Sequence, residues 1–208
     1  MIEISTSILN VKQENAVQTF YNLETAKTDY FHIDVMDGKF VKQENMELMK
    51  EYALAIKHIS NLPLDVHLMV EQPEEIIEDY LALNPDRITI HIEAKTKNIE
   101  ETVKHIKESG VKVGIAISPK TSIEKVKKYL PYIHMILVMT VEPGLGGQNL
   151  IPETIAKIEE LNKYRKENNI DIDIEADGGI NEETIKLVRE AGTDIAVCRK
   201  CNNKCKRL

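Results

Sequence analysis

Hydrophobic residues follow two alternating patterns along this chain. Short runs rich in Val and Ile are typical of buried β-strands, and longer stretches with apolar residues three or four positions apart are typical of amphipathic helices. Strands are predicted at residues 2–7, 30–34, 64–69, 87–92, 112–117, 135–139, 171–176 and 194–197. Helices are predicted at residues 14–23, 46–59, 73–83, 99–109, 122–130, 152–168 and 181–191.

The alternation of strand and helix indicates parallel βαβ units, because a parallel crossover needs a connection long enough to hold a helix. Two α/β architectures have this pattern, an open doubly wound sheet and a closed (β/α)8 barrel. The eight predicted strands favour the closed TIM barrel, as a single domain over residues 1–197. The last helix of such a barrel is missing from the prediction, because residues 198–208 form an atypical basic tail with cysteines.

Composition limits the classes of partner. The 208 residues are 42% hydrophobic and 29% charged, with a formal net charge of −7. This balance is typical of a soluble globular protein, and it argues against nucleic acid, since a phosphate backbone needs a basic surface. No apolar run reaches the roughly 18 residues of a membrane span, and Met1 leads directly into a strand-like run. We therefore expect no membrane partner and a cytoplasmic location.

A histidine and an aspartate end the second predicted strand. His32 and Asp34 are two positions apart, so both side chains point to the same face of the strand. In a barrel that face is the interior, and active sites form at the C-terminal ends of the strands. The pair fits half of a metal site, and it fits equally a core histidine beside a turn-forming aspartate.

Two further strand ends carry the same chemistry. His67 lies near the end of the third predicted strand, and Asp177 directly follows the seventh. With His32 and Asp34 they make a set of two imidazoles and two carboxylates. This set suits one divalent metal ion such as zinc, iron, manganese or cobalt.

The remaining histidines are weaker candidates for ligands. His91 ends the fourth predicted strand and, with Glu93 two residues later, is predicted to support the metal site from behind. His58 and His105 fall on predicted helices and are expected at the surface, and His134 precedes a strand at the opposite end of the barrel.

Glycines are concentrated in two loops, after the sixth and seventh predicted strands. Glycine lets backbone N–H groups approach an anion closely, and the helix that begins after each loop adds a favourable dipole. Tight turns without a ligand have the same composition, but two such loops on adjacent strand ends favour phosphate binding. The candidate residues are Gly144, Gly146, Gly147, Gln148, Gly178 and Gly179.

Three methionines are placed at or just beyond strand ends. Met36 lies just beyond the second predicted strand, Met69 and Met139 end the third and sixth, and all three converge on the same end of the barrel. Methionine in such positions usually fills core space, but an apolar lid over the site fits equally well.

Five segments, in order, resemble the ribulose-phosphate 3-epimerase family. They are residues 7–9, 32–41, 63–69, 139–148 and 177–181, within a similarity that runs from about Ser5 to Val197. The resemblance implies a TIM barrel rather than an open sheet. It also implies a metal-dependent isomerase of the pentose phosphate pathway. Such an enzyme interconverts D-ribulose 5-phosphate and D-xylulose 5-phosphate through an enediolate, and it forms a homo-oligomer.

The resemblance also implies roles for the site residues. His32, Asp34, His67 and Asp177 would bind the metal ion, and the two aspartates would transfer the protons. Ser7 and His67 would contact the substrate. The three methionines would pack around the reacting carbons, and the two glycine loops would bind the sugar phosphate.

The tail departs from the family pattern. Family members follow the eighth strand with a small-residue loop, which completes the phosphate site, and then a final helix. Here Cys198, Arg199, Lys200, Cys201 and Cys205 belong to a basic segment without acidic residues. We expect weaker phosphate binding, with Arg199 or Lys200 partly replacing backbone amides, and exposed apolar surface along strands one, seven and eight. The cysteine spacing also fits an incomplete zinc or iron–sulfur site.

Two other functions stay open from the sequence. The same chemistry on a longer ketose would make the chain a D-allulose 6-phosphate 3-epimerase. Alternatively, the altered C-terminus would leave a barrel that binds a sugar phosphate with impaired catalysis.

Overall fold

The eight apolar runs form the parallel strands of a closed barrel in a computed structural model that describes residues 2–199. The strands are β1 (Glu3–Ser7), β2 (Tyr30–Met36), β3 (Leu64–Met69), β4 (Arg87–His91), β5 (Lys112–Ile117), β6 (Met135–Met139), β7 (Asp173–Asp177) and β8 (Ile195–Cys198). Each strand pairs with the next along the chain, and β8 closes the barrel on β1. The prediction of a TIM barrel is confirmed.

Helices cover the outside of the barrel between most strands. They are α1 (Ala16–Thr25), α2 (Met46–Ile59), α3 (Ile77–Leu81), α4 (Ile99–Glu108), α5 (Glu153–Glu167) and α6 (Thr184–Ala191). None of the helices in this described part of the chain is both long enough and apolar enough to cross a bilayer. The strands and helices follow one another in the predicted order, with one exception.

The helix predicted at residues 122–130 is wrong. The chain between β5 and β6 forms two 3-10 turns instead, Ile123–Lys125 and Leu130–Tyr132. Pro131 lacks an N–H and disfavours helical backbone in the residue before it, so any helix in this segment has to end before Leu130. A buried Ile123 and Leu130 still give this segment an apolar face against the barrel.

Alternate residues of each strand build two different cores. One set, which includes Ile33, Val66 and Ile136, is fully buried between the strands and the helices. Burial of each such side chain contributes about 1.5–3 kcal/mol. The other set fills the barrel interior, where a small apolar cluster around Met135 and Leu137 lies beside polar side chains. These polar interior residues form the site.

The seam between the last and first strands is not exposed. Ile4 of β1, Ile174 of β7 and Ala196 of β8 are all buried in the outer core. The expectation of exposed apolar surface along these strands is therefore wrong. Lys200, Cys201 and Cys205, and with them the proposed cysteine site, lie outside the described residues.

Candidate active site

The register of neighbouring strands places the polar interior residues side by side. Asp34 on β2 is the partner of His67 on β3, and His32 is the partner of Asp65. Asp177, the last residue of β7, reaches the same space. One ligand atom from each of His32, Asp34, His67 and Asp177 lies within 4.8 Å of the others. The four residues singled out from the sequence thus meet at the C-terminal end of the barrel.

Each aspartate faces both imidazoles. Oδ1 of Asp34 lies 3.3 Å from Nε2 of His32 and 3.3 Å from Nδ1 of His67. Oδ2 of Asp177 lies 3.8 Å and 3.5 Å from the same two nitrogens. The second oxygen of Asp34 accepts a hydrogen bond of 2.8 Å from the hydroxyl of Ser7. Two imidazole nitrogens and two carboxylate oxygens therefore converge on one point.

The hydrogen bond behind His32 turns its free nitrogen toward that point. Nδ1 of His32 donates to Oδ2 of Asp65 at 2.7 Å, and the hydroxyl of Ser5 donates to the same oxygen at 2.7 Å. Because Nδ1 keeps its proton in this hydrogen bond, Nε2 is the nitrogen of His32 that can bind a cation. This Nε2 is buried and has no hydrogen-bond partner among the described residues. An orphaned imidazole nitrogen held by a carboxylate is the usual arrangement of a metal ligand.

A longer chain of hydrogen bonds orients His67. Its Nε2 lies 2.9 Å from Nε2 of His91, and Nδ1 of His91 lies 3.0 Å from the carboxylate of Glu93. Glu93 is itself fixed by the N–H of Ser118 at 2.9 Å and by the hydroxyl of Thr121. Nδ1 of His67 is left buried without a hydrogen-bond partner in this part of the chain. His91 and Glu93 therefore lie behind His67, as the sequence led us to expect.

The electrostatics of the cluster also fit a bound cation. Burial alone raises the pKa of Asp34, but His32 and His67 beside it outweigh burial and lower the pKa below its usual range. Burial lowers the pKa of His32, yet Asp34 and Asp65 reverse this and raise the pKa well above its usual value. The pKa of His67 is raised in the same way, against burial, by Asp177 and Asp34. Without an ion, protons on the histidines balance the carboxylates, and a divalent ion would replace them.

Sequence reasoning missed a second polar layer below this cluster. Asp65, Glu175 and Arg87 are all buried in the barrel interior. Burial and the nearby Asp65 carboxylate raise the pKa of Glu175 well above its usual value, which favours its neutral form. The signal was present, because Asp65 and Glu175 each precede a site residue by two positions and so share its face.

A cavity of about 670 Å³ opens above the cluster. Ser7, Asp34 and Asp177 line it, and both glycine loops do so as well. Its volume lies in the range of small-molecule sites. Met36, Met69 and Met139 also line the cavity and are almost fully buried. They therefore both fill core space and form an apolar wall of the cavity.

The glycine loops adopt backbone conformations that other residues disfavour. Positive φ angles occur at Gly144, Gly147, Gly178 and Gly179. A Cβ on Gly179 would lie 2.3 Å from the backbone nitrogen of Leu150, so no side chain fits there. Gln148 lines the cavity, but its amide nitrogen donates to the carbonyls of Glu142 and Leu145 and thereby braces the loop.

The other histidines lie away from this centre. His58 on α2 and His105 on α4 are exposed. His134 precedes β6 at the opposite end of the barrel, where its Nδ1 accepts the N–H of Val113. Cys198 is buried at the end of β8.

A TIM barrel with a buried His/Asp cluster and a glycine-lined cavity defines a class, that of barrel proteins whose cluster could hold a metal ion beneath a cavity of small-molecule size. The chain belongs to the ribulose-phosphate 3 epimerase family, whose model matches residues 3–201. It is 36% identical over 198 residues to the ribulose-phosphate 3-epimerase of Bacillus subtilis. The alignment covers 95% of this chain and 90% of the Bacillus protein. It is 41% identical over 180 residues to the ribulose-phosphate 3-epimerase of Chlamydia muridarum. That alignment covers 85% of this chain and 77% of the Chlamydia protein.

Solved structures support the fold. The structure of KGPDC from Streptococcus mutans aligns with a TM-score of 0.69 at 10% identity, over 100% of this chain and 98% of that one. The structure of 3-hexulose-6-phosphate synthase aligns with a TM-score of 0.67 at 14% identity, over 95% of this chain and 89% of that one. The family and its curated relatives define this chain as an isomerase of the epimerase type.

Proposed function

We propose that this chain interconverts D-ribulose 5-phosphate and D-xylulose 5-phosphate by proton transfer at carbon 3. One observation carries the proposal: two carboxylates from separate strands meet two orphaned imidazole nitrogens at the floor of a cavity lined by glycine loops. The chain's membership of the epimerase family and its named relatives support it.

The donor set fits one divalent ion of zinc, iron, manganese or cobalt. His32, Asp34, His67 and Asp177 would hold it, because ligand atoms of all four lie within 4.8 Å of one another and one nitrogen of each imidazole has no hydrogen-bond partner among the described residues. When bound, such an ion supplies positive charge that stabilises negative charge developing on the oxygens of the substrate.

Asp34 and Asp177 would transfer the protons. Epimerisation removes a proton from one face of carbon 3 and returns one to the opposite face, so it needs an acid/base group on each side. The two aspartates enter from β2 and β7, which are not neighbours in the barrel. Ser7 fixes the rotamer of Asp34 through its hydrogen bond, and the same hydroxyl lines the cavity where the sugar would lie.

Different walls of the cavity suit different parts of the substrate. The glycine loops after β6 and β7 offer backbone N–H groups, which suit a phosphate. The methionine wall lies beside the carboxylates and would keep water from the reacting carbons. Placed in this way, carbon 3 lies over the aspartates and the phosphate lies toward the loops.

The test is exchange of the carbon-3 proton with solvent, followed by NMR in D2O. Asp34→Asn and Asp177→Asn are each expected to abolish epimerisation, while Asp171→Asn, which alters an exposed residue, keeps it. Normal exchange in either site variant would remove that residue from the mechanism. A wild-type chain that turns over neither sugar with added metal ions would contradict the function. D-allulose 6-phosphate in the same assay measures the preference for a pentose, which we expect.

A further inference from the structure

The loop after β8 brings a guanidinium group to the glycine side of the cavity. Arg199 directly follows β8, and its exposed side chain lines the cavity. A Cβ on Gly147 would lie 3.1 Å from Nη2 of Arg199, and one on Gly146 would lie 3.4 Å from Nη1. The guanidinium group therefore lies against the two glycines, in space that side chains on them would take.

A second side-chain donor approaches the same loop from the segment after β1. A Cβ on Gly146 would lie 2.8 Å from Nδ2 of Asn10, which also lines the cavity. Gly178 and Gly179, which directly follow β7, line the same cavity. The segments after β1, β6, β7 and β8 thus all contribute to the cavity lining, and the side chains of Asn10 and Arg199 both lie against the loop after β6.

Among the residues that the structure describes, no acid lies close enough to Arg199 to neutralise its charge. Across residues 2–199, no carboxylate forms an ion pair with it within 4.0 Å. Glu142, which also lines the cavity, pairs with Lys120 at 3.0 Å. A planar guanidinium with five N–H donors matches the oxygens of a phosphate, and a charged pair of this kind is stronger than a neutral hydrogen bond.

We propose that Arg199 binds the phosphate group of the substrate, with Asn10 as a second side-chain donor. The proposal rests on the proposed function, because it takes a sugar phosphate as the ligand of the cavity. Arg199 occupies the position where the family resemblance places a small-residue loop. Recognition in this chain therefore depends on a charged side chain in addition to backbone amides.

The test measures binding of a phosphate monoester without turnover. Glycerol 3-phosphate is titrated into the wild-type chain and into Arg199→Gln, Arg199→Lys and Arg189→Gln by calorimetry, with glycerol as the ligand without phosphate. Arg189 lies exposed on α6 outside the cavity lining and serves as the matched control. Thermal unfolding of each variant verifies that it is folded.

We expect Arg199→Gln to weaken glycerol 3-phosphate binding about tenfold, since one charge-assisted contact is lost. Arg199→Lys keeps the charge but not the planar fork, so its loss is expected to be smaller, and Arg189→Gln is expected to bind as the wild type does. The apparent KM for the sugar phosphate should follow the same order.

The proposal would be overturned by unchanged affinity in Arg199→Gln, by an equal loss in Arg189→Gln, or by tighter binding in Arg199→Gln, which would mean that the guanidinium blocks the site. Absence of phosphate binding by the wild-type chain would overturn it as well. If phosphate binding depends on Arg199 but the chain does not epimerise the sugar, the proposed function is contradicted and the role of Arg199 in phosphate binding stands.

Discussion

His67 and His91 share a hydrogen bond between their Nε2 atoms, which lie 2.9 Å apart. Only one of these nitrogens can carry the proton. Glu93 decides which, because its carboxylate requires a proton on Nδ1 of His91, and burial lowers the pKa of His91 so that the ring is neutral. His91 then accepts from His67, so the proton that a bound cation would displace from His67 is the one on Nδ1, which faces Asp34. A glutamate outside the cluster thus selects the tautomer of a proposed metal ligand.

Replacement of His91 should therefore weaken metal binding. His91→Phe keeps an aromatic ring in contact with Phe40, whose ring centroid lies 4.7 Å away, but it removes the acceptor for His67. Loss of such a supporting group typically costs 10- to 100-fold in metal affinity. Competition with a chromophoric chelator measures the affinity for zinc.

His58→Phe, at an exposed position of α2, is the control for this substitution and should leave zinc affinity unchanged. Equal zinc affinities of His91→Phe and the wild type would show that His67 needs no orienting partner.

Metal binding should release protons. The pKa values of His32 and His67 are raised by Asp34, Asp65 and Asp177 against the effect of burial. The metal-free cluster therefore holds protons at neutral pH that a cation must displace. Calorimetric titration with zinc in buffers of different ionisation enthalpy measures the number of protons released. An observed enthalpy that is the same in all buffers would contradict the protonated cluster.

Glu93 should make stability depend on pH. Burial raises its pKa, but hydrogen bonds from His91, Thr121 and Ser118 outweigh burial and lower it from 4.5 to about 2. Because the folded pKa lies below the unfolded one, the stabilisation is complete above pH 4.5 and is lost as the pH falls from 4.5 toward 2. Allowing for partial solvent exposure, we expect about 2 kcal/mol at neutral pH.

The measurement is urea unfolding of the wild type and Glu93→Gln between pH 7 and pH 3. The difference in free energy of unfolding should be constant at high pH and shrink below about pH 4.5. Glu159→Gln, at an exposed position of α5, should show no such change. A gap between Glu93→Gln and the wild type that widened in acid would contradict the assignment.

The backbone at Gly179 should tolerate no side chain. Its φ of 67° is unfavourable for other residues, and a Cβ would meet the backbone of Leu150 at 2.3 Å. Gly110 has a φ of 81° but nothing within 4 Å of its Cβ position, so Gly110→Ala isolates the cost of the conformation. We expect Gly110→Ala to cost about 1 kcal/mol and Gly179→Ala about 3 kcal/mol or more. Equal costs in urea unfolding would mean that the contact with Leu150 relaxes freely.

Local pattern was sufficient to predict most of the barrel. Alternation of β-branched runs with amphipathic stretches depends on near neighbours in sequence, so the order of strands and helices follows from it. The missing helix between β5 and β6 shows the limit, since residues 122–130 carry a helical pattern but the chain forms 3-10 turns there. A cytoplasmic location, a homo-oligomer and the absence of nucleic-acid and membrane partners stay predictions.

The sequence by itself also determined which residues meet in the cluster, because C-terminal ends of parallel strands share one edge and His32, Asp34, His67 and Asp177 lie at such ends. Only the tertiary structure decided how they are oriented. The hydrogen bonds that aim the imidazoles come from residues on other strands, and the guanidinium of Arg199 reaches the glycine loop only because β8 closes beside β7. Such contacts depend on side-chain rotamers and strand register, which only the closed barrel fixes.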